Sequence, residues 1–270
     1  PAVRSLGAGG GNPVLYAKHL RASTITAVEP DAHLVSMIRS SFADYSRGVW
    51  DAPNVETVIT DGRSFCARTD RKYDIIALPA MISSGMSFSS GSGHGENYLF
   101  TKEAFRDYAS RLTDGGILAV SMNMQSPPRS LLKLEALAFD YVKSAHKDDF
   151  AQRIIFMRGL DWGMILVKKG VFSADEVAKI RTFGADMTAD FSWCPGLQES
   201  ELNQNNIIDD ELYYKLASAY AAGTEKDFIK GYFFNIAPPT DDRPFFDANL
   251  KLSAVGRLFG GHHQQILLQL

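Results

Sequence analysis

A glycine-rich turn directly after a short apolar segment constrains the fold of this chain more than any other feature. Residues 3–6 have the character of a buried strand, and Gly7, Gly9 and Gly11 lie in the turn that follows. Glycine permits a sharp turn and lets a ligand approach the backbone closely. The N-terminus of the next helix adds free N–H groups. The run therefore predicts a strand–turn–helix unit with a ligand-binding turn.

Strands and helices then alternate through the first 170 residues. Apolar runs predict strands at 3–6, 24–28, 55–59, 73–78, 117–121, 153–157 and 164–167. Helical spacing of apolar residues predicts helices at 16–20, 32–42, 101–112 and 130–144. This order, closed by a hairpin of the last two strands, indicates a mostly parallel sheet with helices on both faces. We predict an α/β fold with a Rossmann-like sheet of the methyltransferase type and a closing antiparallel hairpin.

The pattern changes after Gly170, where helices are predicted at 173–184 and 209–222. We expect residues 1–170 to form the main domain and residues 171–250 to form a helical appendage packed on it. Residues 251–270 form a tail with an apolar end, and the chain starts abruptly in a strand-like run. These ends suggest a fragment of a longer protein, with a hydrophobic segment outside it.

The charge balance argues against duplex nucleic acid as the main partner. The chain has 28 Lys and Arg residues and 31 Asp and Glu residues, which gives a net charge of −3. No apolar run reaches the roughly 18 residues that a membrane-spanning helix needs. Cys66 and Cys194 cannot build a disulfide framework, which favours a reducing compartment. His262 and His263 have no neighbouring Cys or carboxylate motif, so no metal site is expected.

Polar residues stand at the ends of two further strands, at the edge where open parallel sheets bind ligands. Glu29 ends the second strand, about twenty residues after the glycine turn, where a carboxylate can accept hydrogen bonds from both ribose hydroxyls. Asp61 and Gly62 end the third strand, where a carboxylate or an N–H can read an adenine edge, and Pro79 ends the fourth. The alternative is a structural turn with surface carboxylates. Together the strand ends favour an adenosine derivative as ligand.

The glycine turn also separates two classes of adenosine ligand. Its sequence GAGGGN, at residues 7–12, lacks the six-residue spacing of the dinucleotide fingerprint. The closing hairpin also suits a methyltransferase sheet better than a dinucleotide sheet. These observations favour an S-adenosyl sulfonium over a nicotinamide dinucleotide.

Several motifs in this order resemble the spermidine/spermine synthase family, and the closer likeness is to the spermidine-synthase-like domain of bacterial membrane proteins. The matching segments are residues 6–11, 28–31, 61–62, 72–76, 96–105, 112–118 and, near the domain end, the TDDRPFF run at 240–246. The resemblance implies a methyltransferase-type fold that binds S-adenosylmethionine, decarboxylated S-adenosylmethionine or the product methylthioadenosine. It also implies a small amine acceptor and a place on the cytoplasmic face of a membrane, with attachment through segments outside this chain. A homodimer stays open.

The chain departs from this family pattern in the part that handles the amine. Synthases of the family carry a catalytic Asp just after the fourth strand and a second Asp shortly beyond it. Pro79 and Ile82 stand at those places here. The family's glycine loop also carries an Asp, where Gly10 or Gly11 stands here. The adenosine half of the site therefore carries over, and the amine half does not.

Other polar residues must then serve the amine. A base near the sulfonium is needed to remove its proton. The candidates are Glu96, Tyr98 and Asp241, with His94 and Asp242 as weaker ones. For Glu96 the alternative is a carboxylate that merely precedes the next helix. For Asp241 it is a local ion-pair turn.

We therefore predict an S-adenosyl-nucleoside-dependent transferase of the spermidine-synthase-like group, with aminopropyl-type transfer to an amine. Two alternatives remain: a methyltransferase acting on a small acceptor, and a regulatory domain that binds the nucleoside without catalysis. The Ser- and Gly-rich segment 83–95 is expected to be a lid that orders when the nucleoside binds.

Overall fold

The computed structural model describes residues 1–79 and 95–251 of the chain. In this part, eight strands form one sheet in the order β3-β2-β1-β4-β5-β7-β6-β8. The strands are β1 (Ala2–Leu6), β2 (Thr24–Glu29), β3 (Val55–Ile59), β4 (Tyr73–Leu78), β5 (Leu112–Asn123), β6 (Ile154–Arg158), β7 (Trp162–Lys168) and β8 (Asp190–Trp193). Strands β1 to β5 pair in parallel with one another, whereas β5 with β7, β6 with β7 and β6 with β8 pair antiparallel. The predicted α/β fold with a closing hairpin is confirmed.

Helices connect these strands. They are α1 (Asn12–His19), α2 (Ala32–Ser40), α3 (Ala43–Ser46), α4 (Gly62–Arg68), α5 (Lys102–Ser110), α6 (Ser130–Ala145), α7 (Ala174–Asp186), α8 (Leu212–Ala222) and α9 (Glu225–Gly231). Side chains cap several of them: Asp31 caps α2, Thr101 caps α5, and Ser173 with Glu176 forms a capping box on α7. Such caps satisfy N–H groups that have no acceptor within the helix.

The strand register brings the predicted ligand-binding positions to one edge of the sheet. Leu6 of β1 lies beside Val28 of β2, and Glu29 lies beside Ile59 of β3. The chain therefore leaves β1, β2 and β3 at the same edge. The strand order reverses between β1 and β4, and such a switch point is where open α/β sheets bind ligands.

Strand β5 begins earlier than the sequence indicates. The sequence predicts a start at residue 117, but residues 112–116 also belong to the strand, and the preceding helix ends at Ser110. The register of β4 and β5 shifts between Tyr73 and Ile75. At Gly116 a Cβ atom would lie 2.9 Å from the Tyr73 carbonyl oxygen, so only glycine permits this approach of the two strands.

The region 171–250 contributes a strand to the sheet, which the sequence did not indicate. Strand β8 is four residues long and pairs with β6 at the sheet edge. Asp190 at its start accepts hydrogen bonds from the backbone N–H groups of Gln204, Asn205 and Asn206. A strand of four residues with a polar first residue is too short to show a clear alternation of apolar and polar residues. The division into domains at residue 170 stays a prediction.

Helix α6 lies at the centre of the largest core cluster, together with β4 to β7 and α8. Most of its residues are buried, including the charged residues Lys133 and Glu135. Among the described residues, no helix has the length and apolar character needed to cross a membrane. The expected membrane attachment concerned segments outside this chain and stays a prediction.

Candidate functional site

The glycine turn after β1 has the conformation that the sequence predicts. Gly7, Gly9 and Gly11 have φ angles of 73°, 51° and 92°, in the left-handed region that favours glycine. At Gly11 a Cβ atom would also lie 2.8 Å from Cγ1 of Val49. Nothing lies within 4 Å of the Cβ positions of Gly9 and Gly10. The turn is therefore packed closely at Gly11 and open at Gly9 and Gly10.

Glu29 ties this turn to the end of β2. Its Oε2 atom accepts a hydrogen bond from the Gly9 N–H at 2.8 Å, and its Oε1 atom accepts one from the Asp31 N–H at 3.1 Å. The side chain is buried, with 7% of its residue surface exposed. A carboxylate oxygen can accept two hydrogen bonds. Each oxygen therefore keeps capacity for one ribose hydroxyl.

Asp61 and Gly62 form the corner after β3. The Asp61 carboxylate caps α4 by accepting a hydrogen bond from the Ser64 N–H at 2.8 Å. Gly62 is buried, and a Cβ atom there would lie 3.1 Å from Cβ of Leu6. The exposed Asp61 carboxylate and the first N–H groups of α4 lie at the sheet edge that also carries the glycine turn. Pro79, half-buried, follows β4 at the same edge.

The structure brings two of the predicted catalytic residues together. The Tyr98 hydroxyl donates a hydrogen bond to Glu96 Oε2 at 3.0 Å, and both side chains are exposed. The Glu96 carboxylate raises the pKa of Tyr98 above its ordinary value. Asn97 fixes the backbone between them, because its N–H donates to the Pro244 carbonyl at 2.6 Å.

Asp241, the third predicted catalytic residue, forms an ion pair. Arg63 donates two hydrogen bonds to its carboxylate, at 2.7 and 2.6 Å, and the Thr101 hydroxyl donates a third at 2.7 Å. The hydrogen bond from Arg63 is the main cause that lowers the pKa of Asp241 below its ordinary value. A carboxylate held in this way is a weak base. The ion pair is formed with a residue 178 positions away and is not the local ion-pair turn given as the alternative, and a catalytic role for Asp241 stays a prediction.

Residues 240–249, which we name the C-terminal clasp, lie across several elements of this edge. The clasp is held by Arg63 at Asp241 and by Asn97 at Pro244. Its Phe246 is buried and packs on Phe100, with ring centroids 4.7 Å apart. The clasp therefore borders the segment that carries Glu96 and Tyr98.

Comparison with known proteins places this arrangement in a family. Residues 5–146 match the spermine/spermidine synthase domain family, which is more than half of the chain. The chain belongs to the spermine/spermidine synthase family. The resemblance to this family stated from the sequence is confirmed, whereas the closer likeness to a domain of bacterial membrane proteins stays a prediction.

Relatives of the chain include two bacterial enzymes. The polyamine aminopropyltransferase of Pseudomonas syringae pv. tomato is 36% identical over 120 residues, and polyamine aminopropyltransferase 1 of Pseudomonas aeruginosa is 34% identical over the same length. Each match covers 43% of this chain and 39% of the relative. The chain thus spans about two-fifths of the length of these curated relatives.

Solved structures with a similar arrangement include two with weak overall similarity. The spermidine synthase from Thermotoga maritima has a TM-score of 0.46 and 18% identity, and the match covers 67% of this chain and 57% of the synthase. Human methyltransferase-like protein 13 in complex with SAH has a TM-score of 0.47 and 17% identity, and the match covers 66% of this chain and 77% of the human protein.

The structure adds residues to this family member's site that the sequence reasoning missed. Arg63 donates to Asp107, to the Tyr98 carbonyl and to the clasp, although its position directly after Gly62 was the only signal in the sequence. Lys133 was detectable as a charge within the apolar run of α6. Residues 80–94 lie outside the described part of the chain, and with them Ile82, His94 and the predicted lid apart from Gly95.

Proposed function

We propose that this member of the spermine/spermidine synthase family is an S-adenosyl-nucleoside-dependent transferase that carries an aminopropyl-type group to a small amine. The observation that carries the proposal is the Glu29 carboxylate, held at 2.8 Å by the Gly9 N–H beside the switch point of the sheet. The relatives named polyamine aminopropyltransferases support the reaction class.

The residues at this edge fit an S-adenosyl nucleoside. Gly9 and Gly10 leave open space at the turn, and Glu29 keeps lone pairs for the ribose hydroxyls. Asp61 and the Gly62 N–H would meet the adenine edge. When bound, S-adenosylmethionine or its decarboxylated form supplies a carbon activated by a positively charged sulfur.

The acceptor amine must lose a proton as its nitrogen bonds to that carbon, while the bond from that carbon to sulfur would break and the sulfur would leave as a neutral thioether. Pro79 cannot accept a proton, although it stands where the family carries its catalytic Asp. The Glu96 carboxylate can accept it, and the Tyr98 hydroxyl, bonded to Glu96 Oε2, would orient that carboxylate. We therefore assign Glu96 as the base and Tyr98 as its partner.

The missing acids reduce the expected activity toward polyamines. Two carboxylates would neutralise a polycationic acceptor, and Pro79 and Ile82 provide neither. We expect putrescine and decarboxylated S-adenosylmethionine to give spermidine more slowly than about 1 per second, the lower end of typical enzyme turnover. Faster turnover would show that Glu96 or another acid fully replaces them.

Nucleoside binding tests the adenosine half directly. Glu29→Gln keeps the side-chain shape and removes the charge, so the hydrogen bonds to ribose weaken. Loss of a charged hydrogen-bond partner costs about 1.5–3 kcal/mol, roughly tenfold to a hundredfold in affinity. Calorimetry with S-adenosylmethionine and methylthioadenosine measures this change. Glu56→Gln, at an exposed carboxylate on β3, is the matched control and should bind like wild type. Equal affinity of the Glu29 variant and wild type would refute the assignment.

Product analysis tests the chemistry. Glu96→Gln should lower amine transfer by about a hundredfold or more, the contribution of general base catalysis, with nucleoside affinity unchanged. Mass spectrometry of the acceptor separates the alternatives: an added aminopropyl group supports the proposal, and an added methyl group supports a methyltransferase. Binding of the nucleoside without turnover over a panel of small amines indicates a regulatory domain.

A further inference from the structure

A fully buried lysine lies under the C-terminal clasp. Lys133 belongs to the first turns of α6 and has 0% of its surface exposed. Its Nζ atom donates to the carbonyl oxygens of Phe246 at 2.6 Å and of Ala248 at 3.0 Å. Both acceptors belong to the clasp. The amino group therefore joins α6 to two residues of the clasp at once.

This lysine is costly to bury. Among the described residues, no carboxylate lies within ion-pair distance of Nζ; its two acceptors are neutral carbonyls, and the Phe246 ring centroid lies 5.7 Å away. Burial lowers the pKa of Lys133 to about 7, and Asp247 opposes this effect only at longer range. An apolar residue of similar shape at this place would avoid the desolvation cost. Stability alone therefore does not explain an amino group here.

The clasp connects Lys133 to the proposed catalytic pair. Asn97 lies between Glu96 and Tyr98, and its N–H donates to the Pro244 carbonyl at 2.6 Å. The Asn97 side chain also donates to Asp247 Oδ2 at 3.3 Å, between the two carbonyls that Lys133 holds. The position of the Glu96–Tyr98 pair thus depends on a segment that Lys133 fixes.

We propose that Lys133 is a positioning residue, which fixes the C-terminal clasp and thereby holds the Glu96–Tyr98 pair in place for the acceptor. The inference rests on the proposed function for the role of that pair. It does not involve Glu29 and the glycine turn, because the contacts of Lys133 are to the clasp, whereas Glu29 and the glycine turn contact each other.

Amide hydrogen exchange tests the proposal without relying on turnover. Lys133→Met keeps an unbranched apolar stem, shortens the side chain by one atom and removes both hydrogen bonds. We expect the Asn97 amide, which donates to the clasp, to exchange about tenfold faster or more, while the amides of β1 to β3 keep their wild-type rates. Lys133→Gln, which has a shorter neutral donor, should give an intermediate rate.

A lysine on the same helix provides the matched control. Lys143 donates to the Tyr220 carbonyl at 2.8 Å and to Glu225 at 3.0 Å, outside the clasp. Lys143→Met should leave Asn97 exchange unchanged. Wild-type exchange at Asn97 in either folded Lys133 variant, or equal acceleration in the Lys143 variant, overturns the proposal. If Lys133→Met does not fold, Lys133→Gln decides.

Kinetics give a second readout. In Lys133→Met, kcat for amine transfer should fall by about tenfold or more, with nucleoside Kd within about twofold of wild type. Lys133→Gln should recover part of the loss. A matching loss of nucleoside affinity would contradict a role confined to the acceptor side. If wild type shows no turnover, the proposed function fails, and Asn97 exchange still decides whether Lys133 fixes the clasp.

Discussion

The ion pair between Arg63 and Asp241 should hold the C-terminal clasp on the main sheet. Asp241→Asn retains the shape of the side chain but removes its charge and one of its acceptor oxygens. The wild-type carboxylate receives two hydrogen bonds from Arg63, at 2.7 and 2.6 Å, and one from Thr101 at 2.7 Å. The substitution therefore weakens three contacts that join the clasp to α4 and to the cap of α5.

The exposure of the Arg63 and Asp241 side chains sets how much stability the substitution removes. Exposed ion pairs contribute about 0.2–1 kcal/mol, whereas breaking a buried pair costs about 3–5 kcal/mol. The Arg63 side chain is 16% exposed and that of Asp241 is 37% exposed, so this pair lies between the two limits. Solvent screening at Asp241 shifts the value toward the lower limit. We expect Asp241→Asn to lower the free energy of unfolding by about 1.5–2 kcal/mol.

Urea unfolding with a double-mutant cycle measures this energy. The cycle combines Asp241→Asn with Arg63→Gln, and a coupling energy of about 1 kcal/mol is expected. Asp107→Asn is the matched control, because Asp107 accepts one hydrogen bond from the same guanidinium, at 3.0 Å. It should cost less than Asp241→Asn. The reasoning is refuted if the effects of Asp241→Asn and Arg63→Gln on the free energy of unfolding add to within about 0.3 kcal/mol in the double variant. It is also refuted if Asp107→Asn lowers the free energy of unfolding as much as Asp241→Asn does.

The same variant separates structural from catalytic roles for Asp241. A general base contributes about a hundredfold or more to the rate. If Asp241 were the base, Asp241→Asn would lower kcat by that factor at temperatures where the variant is fully folded, and Glu96→Gln would not. We expect the reverse order of effects.

Three further predictions concern buried positions. Both carboxylate oxygens of Glu135 are buried and lack a hydrogen-bond partner in the described structure, and burial raises its pKa well above the ordinary value. The free energy of unfolding should therefore fall as the pH rises from the ordinary glutamate pKa through the raised pKa of Glu135. In urea unfolding, Glu135→Gln should remove this pH dependence and raise the free energy of unfolding by about 1–3 kcal/mol at the alkaline end of the range. Because burial lowers the pKa of Lys133 to about 7, stability should rise with pH between about 7 and the ordinary lysine pKa, and Lys133→Met should remove that rise. Gly11→Ala should lower the free energy of unfolding by about 1–3 kcal/mol, because its Cβ atom would lie 2.8 Å from Val49 at a φ of 92°. Gly10→Ala, where the Cβ atom would enter open space, should cost less. Thermal unfolding of both variants measures the difference.

The positions of the residues proposed for the adenosine half of the site could be predicted from the sequence because each of them is local to a strand end. The glycine turn, Glu29 and Asp61 each follow an apolar run, and parallel strands bring such ends to one edge. The Glu96–Tyr98 contact is also local, since only Asn97 lies between its members. Local patterns are sufficient for these features.

The acceptor side could not be predicted in the same way. Arg63 and Asp241 are 178 residues apart in the chain, and Lys133 and Phe246 are 113 apart. No periodicity encodes such pairs, because their partners are chosen by the packing of the clasp against α4, α5 and α6. For the same reason the sequence reasoning could propose Asp241 as an acid near the site but could not identify its partner.

The contacts of Arg63 join the two halves of the site. Arg63 directly follows Gly62, so its backbone belongs to the corner that would meet the adenine. Its side chain donates to the Tyr98 carbonyl at 3.2 Å and to Asp241 at 2.7 Å. A change in the first turn of α4 must therefore reach both the proposed catalytic segment and the clasp. Because the family's acid after β4 is replaced by Pro79, the proposed base lies on a segment that depends on these contacts. Measurements on Glu96 variants consequently report chemistry only when the clasp is shown to be intact, and Asn97 exchange provides that check.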